Sequence, residues 1–141
     1  MVMEFKNQYN FLSNFYTDSK NFCVEISYQS SKFINDGEIF KKIIKMKPGE
    51  AKRFANLPEN QAKVRPDWKR VNLHIMEELI RFKFSNDPER SLLINTGDIE
   101  LVEGNYWHDN FWGACTCIKC MLFKKSNNLG KILMKIREEI K

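Results

Sequence analysis

Apolar residues recur at helical spacing in several stretches of this chain, and each such stretch predicts a helix. The first predicted helix covers residues 36–46, and Pro48 and Gly49 break the helical pattern after it. A shorter helix is predicted over residues 50–57. The longest helix follows Pro66, and we predict that its apolar stripe is core; the stripe consists of Trp68, Val71, Ile75, Met76, Leu79 and Phe82.

Two further helices are predicted in the second half of the chain. Asp87 caps the first, with Pro88 in its opening turn, and the segment 96–98 (Thr-Gly-Asp) ends it. The second covers residues 129–140, because one face there carries Leu129, Ile132, Leu133 and Ile136.

Two stretches have the pattern of strands. From Asn21 to Tyr28 every second residue is apolar, which predicts a strand, although a helix that begins inside this stretch stays open. Residues 99–103 are predicted to form a short strand. The whole pattern therefore predicts an α+β fold, a single α-rich domain over residues 1–141 with a small β component.

The composition agrees with a globular protein. Of the residues, 43% are apolar and 13% aromatic, and no apolar run approaches the length of a membrane-spanning helix. The N-terminal sequence Met-Val-Met-Glu-Phe-Lys lacks the layout of a signal peptide, so we predict a cytoplasmic location and no membrane partner. The net charge of +5 favours anionic partners such as phosphates or nucleic acid, but solubility explains the same charge.

Residues 102–113 hold an unusual density of functional side chains. The segment contains Glu103, His108, Asp109 and two of the three tryptophans, and its apolar residues follow neither a strand nor a helix period. This is typical of a loop that holds a ligand, because aromatic faces stack on flat rings and carboxylates serve acid/base chemistry. Either acid could instead cap a turn. His108 is the stronger functional candidate of the two histidines, since His74 lies among apolar neighbours.

Three cysteines, Cys115, Cys117 and Cys120, stand within six residues. They do not resemble the spread framework of a disulfide-bonded secreted domain, which leaves reduced thiols or a metal. Zinc would need a fourth ligand, Cys23 or His108, and the paired Cys-x-x-Cys pattern of common zinc sites is absent. Small apolar packing and redox-sensitive thiols explain the cluster as well, so the sequence assigns neither a metal nor a cofactor.

A series of sequence blocks lies in order along nearly the whole chain: residues 10–16 (Asn-Phe-Leu-Ser-Asn-Phe-Tyr), 25–33 (Glu-Ile-Ser-Tyr-Gln-Ser-Ser-Lys-Phe), 65–68 (Arg-Pro-Asp-Trp), 83–84, 96–97, 101–103, 109–113 (Asp-Asn-Phe-Trp-Gly) and 127–137. In order and spacing these blocks resemble the YbiA-like NADAR family. The resemblance implies an α-rich α+β domain of that type. It also implies an N-glycosidase that acts on ribose-linked nitrogen.

The resemblance implies two substrate classes. One is ADP-ribose attached to guanine in nucleic acid, whose removal reverses a toxin's modification, and the short, basic chain favours it. The other is the phosphoribosylated aminopyrimidine intermediates of riboflavin synthesis. A noncatalytic module that binds ADP-ribose or nucleic acid is the alternative, but it gains little from carboxylates placed near phosphates. The oligomeric state is left open.

Catalytic residues follow from the same resemblance. If residues 25–33 are helical, Glu25, Gln29 and Lys32 share one face. Glu25 would stabilise positive charge on the sugar, and Lys32 in a nonpolar pocket would form a Schiff base with an opened ribose. Asp109 and Glu103 are the further candidate acids. By spacing alone, Glu25 and Lys32 are more simply surface charges.

Substrate contacts are implied at both ends of the chain. Asn14 and Phe15 resemble a segment that holds the sugar and base, although asparagine also favours turns. Gln29 belongs to the helical face described above. Trp68 resembles a position close to the site, and core packing is its simpler role.

Three further contacts are implied in the second half. Trp112 would stack on the base, and Gly113 would let the backbone approach a phosphate or ribose. Asn127 precedes the last helix, whose first N–H groups would bind phosphate, or it simply caps that helix. Here the chain departs from the family, because residues 123–126 (Phe-Lys-Lys-Ser) replace a glycine-rich approach.

Overall fold

A computed structural model describes residues 4–141. Residues 1–3 lie outside the described part, and they include the start of the N-terminal segment that we compared with a signal peptide. The chain forms two compact units. One is Asn14–Phe82, and the other joins Lys83–Lys141 to the segment that ends at Ser13. Each unit buries apolar residues of its own.

The unit Asn14–Phe82 is helical. It contains α1 (Val24–Ser31), α2 (Gly37–Ile43), α3 (Pro48–Ala55), α4 (Pro58–Gln61) and all but the last residue of α5 (Trp68–Lys83). Helix α1 packs against α2 and α3. One buried hydrophobic cluster of this unit consists of Phe33, Ile39, Ile43, Ala51 and Ala55.

Local chemistry explains where the second and third helices begin. Asp36 Oδ1 accepts a hydrogen bond of 3.2 Å from the N–H of Ile39, which caps α2. Pro48 begins α3, because a proline at the first helical position loses no hydrogen bond. The helix predicted over residues 50–57 is therefore confirmed, but it begins two residues earlier.

The strand predicted from Asn21 to Tyr28 is wrong. Only Cys23 pairs in the extended form, through an isolated antiparallel bridge with Thr17, and α1 begins at the next residue. The alternative of a helix beginning inside this stretch is the one observed. A helix buries Val24 and Tyr28 together, since residues four apart share a face.

The stripe predicted to be core on α5 is partly wrong. Met76 is buried as predicted, but Ile80, outside the predicted stripe, is completely buried. Phe82 is 52% exposed and packs edge-on against Phe22, with ring centres 4.8 Å apart. The buried face of the helix is thus rotated from the predicted one.

The second unit contains two 3-10 helices, Asn7–Leu12 and Ile118–Cys120, and the helices α6 (Glu89–Ile94) and α7 (Asn128–Ile140). Helix α6 packs against α7 and the first 3-10 helix. The predicted last helix is confirmed, and its four face residues are buried: Leu129, Ile132, Leu133 and Ile136. Asp87 Oδ1 accepts hydrogen bonds from the N–H and hydroxyl of Ser91, as a capping side chain does. The N-cap residue is nevertheless Pro88 and α6 begins at Glu89, so the predicted start, with Asp87 as the cap and Pro88 in the first turn, is wrong by one residue.

The strand predicted over residues 99–103 is also wrong. The described residues form one two-stranded parallel sheet, in which β1 (Gly104–Asn105) pairs with β2 (Ala114–Cys115). Residues 101–103 are held by a side chain instead, because the amide of Asn127 bonds Leu101 O and the N–H of Glu103. The α-rich α+β class is confirmed. In residues 4–141, every helix is too short or too polar to cross a membrane.

Candidate active site

The predicted nucleophile, Lys32, immediately follows α1 and is buried, with 8% of its surface exposed. Its Nζ lies 5.7 Å from the ring centre of Tyr28 and 5.9 Å from that of Trp68. Burial lowers the pKa of Lys32 below the ordinary 10.5; the charge of Glu25 opposes this change and the charge of Lys52 adds to it. More of this amine is therefore neutral, and nucleophilic, at neutral pH than in an exposed lysine.

Glu25 and Gln29 lie on α1, about two turns and one turn before Lys32 respectively, and both side chains are buried. Gln29 Nε2 donates a hydrogen bond of 2.8 Å to Glu25 Oε1. Within the described part of the chain, Gln29 Oε1 has no hydrogen-bond partner. The helix on which the predicted face depends is confirmed, and it places a carboxylate and an unpaired amide oxygen together.

Trp68 begins α5, and its ring packs against Tyr28 with centres 4.9 Å apart. The preceding turn is held by a two-pronged ion pair, in which Arg65 Nε and Nη2 lie 2.6 and 2.9 Å from the carboxylate oxygens of Asp67. The N–H of Arg65 donates to Lys32 O at 2.8 Å. Backbone and ring contacts thus hold Trp68 beside the lysine. We call Glu25, Tyr28, Gln29, Lys32 and Trp68 the lysine cluster.

The early turn supports the same helix. Asn14 O accepts a hydrogen bond of 2.9 Å from the N–H of Glu25. The Asn14 side chain is buried with Nδ2 at 3.6 Å from Met76 Sδ, while its Oδ1 has no partner among residues 4–141. Phe15 is 44% exposed, and Lys52 Nζ lies 5.8 Å from its ring centre. An exposed aromatic face beside a cation suits a base that carries a phosphate.

In the second unit, Asn105 organises residues 103–113, which we call the acidic loop. This buried side chain donates from Nδ2 to Asp109 O at 2.8 Å and to Glu103 Oε2 at 3.3 Å. Its Oδ1 accepts from the N–H groups of Trp107 and Asp109 at 3.2 and 3.1 Å. Sequence reasoning missed Asn105, because hydrogen bonds inside a loop leave no periodic signal.

Asp109 caps a turn of the acidic loop. Its Oδ1 accepts from the N–H groups of Phe111 and Trp112 at 3.1 and 2.9 Å. The turn-capping alternative is therefore observed. It is compatible with the predicted catalytic role, since a carboxylate offers about four lone-pair positions. The half-buried Trp112 ring packs edge-on against Phe111, with ring centres 4.8 Å apart.

Gly113 lies against Glu103. A Cβ on this glycine would collide with the carbonyl oxygen and the Oε2 of Glu103. This packing therefore requires glycine at residue 113. The sequence did not indicate this requirement. The predicted approach of a phosphate or ribose to Gly113 stays a prediction.

Asn127 has a left-handed backbone, with φ of 46°, and its side chain makes no cap bond to α7. The simple capping alternative is therefore wrong, because the amide bonds residues 101–103 instead. Two N–H groups needed for the phosphate hypothesis are occupied as well. Asn128 N donates to Phe111 O at 3.1 Å and Leu129 N to Trp112 O at 3.0 Å. A substrate contact of the Asn127 side chain stays a prediction.

His108, Cys115, Cys117 and Cys120 also meet in this unit, and we call them the thiol cluster. Burial disfavours the charged form of Cys115. Hydrogen bonds from Cys117 and Cys120, and from the backbone of His108, nevertheless lower its pKa to about 6. Burial raises the pKa of Cys120, and the neighbouring thiols add to that rise while Asn110 opposes it.

Within each unit, most of the predicted site residues contact at least one other predicted site residue. Glu25, Gln29, Lys32 and Trp68 meet in the lysine cluster, and Glu103, Asp109, Trp112, Gly113 and Asn127 share one hydrogen-bonded and packed network. Sequence reasoning missed Tyr28 and Lys52. Tyr28 stands three residues after Glu25, and this helical spacing is the signal that could have found it.

The comparisons with known proteins agree with this architecture. A protein of Nostoc punctiforme named an N-glycosidase is 39% identical over 122 residues, covering 84% of this chain and 73% of that protein. A riboflavin biosynthesis protein of Vibrio vulnificus is 34% identical over 139 residues, covering 94% of this chain and 36% of that protein. A chloroplastic riboflavin biosynthesis protein of Zea mays is 32% identical, and the chain spans only 19% of its length.

The structural comparison covers the chain almost completely. The NMR structure of the E. coli protein YbiA matches with a TM-score of 0.78 at 26% identity, covering 99% of this chain and 84% of that one. The family model of the NADAR domain matches residues 2–141. Because the family model matches almost every residue of the chain, we conclude that this chain belongs to the NADAR family.

Proposed function

We propose that this chain is an N-glycosidase that cleaves the bond between a ribose and the nitrogen of a base. The observation that carries the proposal is the buried amine of Lys32, whose pKa is lowered, beside the buried pair of Glu25 and Gln29. A neutral amine and a carboxylate are the groups that nucleophilic glycosidic cleavage needs. The Nostoc relative named an N-glycosidase supports the same reaction class.

In the covalent route, the neutral Nζ of Lys32 attacks the anomeric carbon of the ribose. The bond from that carbon to the base nitrogen breaks, and the base leaves after an acid has protonated it. The ribose ring then opens, its ring oxygen takes the proton lost by the amine, and an imine joins Lys32 to the sugar. Water adds to the imine carbon, and the amine departs to regenerate Lys32 and free sugar.

A direct hydrolysis uses the same groups differently. Positive charge builds on the ribose as the base departs, and the carboxylate of Glu25 stabilises it while water attacks the anomeric carbon. The two routes are separated by borohydride, which reduces an imine to a stable secondary amine. A sugar adduct on Lys32 supports the covalent route, whereas turnover without any adduct supports the direct one.

As substrate we propose ADP-ribose attached to guanine in nucleic acid. The net charge of +5 favours a polyanion. Lys52 lies close enough to Lys32 to lower its pKa and also lies over the exposed ring of Phe15. A phosphate beside Lys52 would be attracted by both lysines, and a base would find an aromatic face at Phe15.

A second candidate substrate is a phosphoribosylated aminopyrimidine of riboflavin synthesis. The relatives from Vibrio vulnificus and Zea mays, both named riboflavin biosynthesis proteins, favour it. Because this small molecule also carries a phosphate and a ribose, the features around Lys32 and Lys52 fit it equally. The choice between the two substrates therefore needs experiment.

The test offers both substrates to the purified protein and follows by mass spectrometry the release of ADP-ribose from the oligonucleotide and of the free base from the aminopyrimidine. Release from an oligonucleotide carrying ADP-ribosylated guanine, lost in Lys32→Ala and kept in the exposed control Lys41→Ala, supports the first proposal. Release only from the aminopyrimidine supports the second. Tight binding of ADP-ribose with release from neither substrate would contradict the enzyme proposal and support a binding module.

A further inference from the structure

Four potential metal ligands converge in the second unit, apart from the residues used for the proposed function. They are His108 Nδ1 and the Sγ atoms of Cys115, Cys117 and Cys120, which all lie within 4.8 Å of one another. The Nδ1 atom lies 3.3 Å from Cys120 Sγ, 3.4 Å from Cys117 Sγ and 3.8 Å from Cys115 Sγ. The Sγ atoms of Cys115 and Cys117 are 3.3 Å apart.

These distances are close to those between the ligands of a tetrahedral zinc ion. Zinc binds sulfur at about 2.3 Å and imidazole nitrogen at about 2.0 Å. At the tetrahedral angle, the nitrogen and sulfur ligands are then separated by roughly 3.5 Å and two sulfurs by roughly 3.8 Å. The four separations given above differ from these values by only a few tenths of an ångström, and the two remaining pairs of sulfur atoms lie within 4.8 Å.

Local structure positions three of the four ligands. His108 has φ of 70°, in the left-handed region that a residue with a side chain seldom adopts, and the buried Asn105 bonds the residues on either side of it. Cys115 is fixed in β2, where its N–H donates to Asn110 Oδ1 at 2.9 Å. Cys120 ends the second 3-10 helix. Three local structures therefore meet at one point.

The surroundings favour a negatively charged centre. Three thiolates and a neutral imidazole around a divalent cation carry one net negative charge. Lys125 Nζ donates to Cys120 O, which places an ammonium group next to the cluster. Lys119 lines the same cavity of about 300 Å³ as His108 and Cys120. The ammonium group of Lys125, bonded to the backbone of a ligand residue, would stabilise the excess negative charge.

We propose that His108, Cys115, Cys117 and Cys120 bind one zinc ion. Soft thiolate ligands with one imidazole in a tetrahedral set select zinc among the common divalent metals. Because four protein ligands fill the coordination sphere, the ion would be structural, holding the acidic loop to the segment that contains Cys117 and Cys120. Binding displaces the thiol protons, so protons are released as zinc is taken up.

The first test measures metal in the wild-type protein. The chain is expressed in zinc-supplemented medium, purified under reducing conditions without chelator, and analysed for zinc by plasma mass spectrometry. One zinc per chain is expected. In the same preparation, cobalt added to the metal-free, reduced protein should give thiolate-to-cobalt charge-transfer absorption and the intense visible bands of tetrahedral cobalt. Zinc contents far below one, together with cobalt spectra of the octahedral aqua ion, would overturn the proposal.

The second test uses variants matched in chemistry. Cys117→Ser removes the half-buried ligand, and we expect zinc affinity to fall by at least about a hundredfold, since losses of outer-sphere partners alone cost 10–100-fold. Cys23→Ser removes the buried thiol that belongs to the other unit, where it donates to Asn14 O, and should keep one zinc per chain. Equal zinc affinity in both variants would contradict the ligand assignment. The cobalt spectrum of the wild type decides the matter even if a variant fails to fold.

Discussion

Gln29 Nε2 donates a hydrogen bond of 2.8 Å to Glu25 Oε1, and the other atom of the same amide, Gln29 Oε1, is buried without a partner in the described chain. Because the carboxylate can only accept, this bond fixes which end of the amide is the oxygen. A buried acceptor without a donor costs about 1–3 kcal/mol, which a hydroxyl of a bound ribose would offset.

Replacing Gln29 therefore tests substrate binding. Gln29→Met keeps the volume but removes both the unpaired oxygen and the bond to Glu25. We expect KM for the cleaved substrate to rise by about tenfold, the factor for one neutral hydrogen bond of about 1.4 kcal/mol. Steady-state kinetics provide the measurement, and the solvent-exposed Gln61→Met is the control. An unchanged KM would show that Gln29 does not bind the substrate.

Lys32→Arg separates the charge of the lysine from its nucleophilicity. Arginine stays protonated at every accessible pH, so it cannot form an imine. We expect the cleavage rate to fall by at least about a hundredfold, which is the lower end of the rate enhancement that one catalytic side chain typically supplies. Lys52→Arg preserves the positive charge that attracts phosphate and that lowers the pKa of Lys32, so this variant should keep most of the activity. Activity of Lys32→Arg near the wild-type rate would refute the imine route.

The pKa of Lys32 also makes stability depend on pH. Because its folded pKa lies below the unfolded value of 10.5, the unfolded chain binds more protons between the two values. The free energy of unfolding therefore rises with pH through that window. Lys32→Met removes this contribution, so the variant should be more stable than the wild type at neutral pH. Urea denaturation should show the difference shrinking as pH approaches 10.5, and a constant difference would contradict the lowered pKa.

Two substitutions of Asp109 separate its structural role from its predicted catalytic role. Asp109→Asn keeps an oxygen for the N–H groups of Phe111 and Trp112 but cannot act as an acid, whereas Asp109→Ala loses both functions. We expect Asp109→Ala to lose about 1–2 kcal/mol of stability, the typical effect of deleting a cap, and Asp109→Asn to lose less. If the carboxyl group takes part in catalysis, both variants lose activity; full activity in Asp109→Asn would leave only the structural role.

Gly113 provides a test of packing. Gly113→Ala would drive a Cβ into Glu103, and we expect a loss of about 1–3 kcal/mol in the free energy of unfolding, as for other overpacked sites. Gly37→Ala is the matched control, because a Cβ there meets no atom within 4 Å. Chemical denaturation of both variants provides the measurement. Equal stability would mean that the acidic loop relaxes away from residue 113.

The sequence predicted the helices that carry a clear apolar face. Helix α7 follows from apolar residues three and four apart, a spacing that any sequence displays directly. The shared face of Glu25, Gln29 and Lys32 was predicted only on the condition that residues 25–33 are helical, which the structure meets for Val24–Ser31. The strand predicted from Asn21 failed because alternation over a few residues also fits the start of a helix. Burial and helix packing then decided between them.

The rest of the candidate site depends on contacts between residues far apart in sequence. The bonds of Asn127 to residues 101–103 and the collision that excludes a side chain at residue 113 have no periodic signature. The sequence left both His108 and Cys23 as the fourth member of the thiol cluster, and only the structure identifies it as His108. A left-handed backbone at residue 108 is a property of the folded loop and not of local spacing.

The network around Asn105 has a consequence for binding energetics. Parallel strands usually need a crossover of about a dozen residues or more, but β1 and β2 are joined by only residues 106–113, and side-chain bonds of Asn105 brace this connection from inside. The chain has therefore lost most of its conformational entropy in this segment on folding. A ligand that contacts Asp109 or Trp112 meets groups that are already ordered, so little further entropy is lost on association and affinity is correspondingly higher.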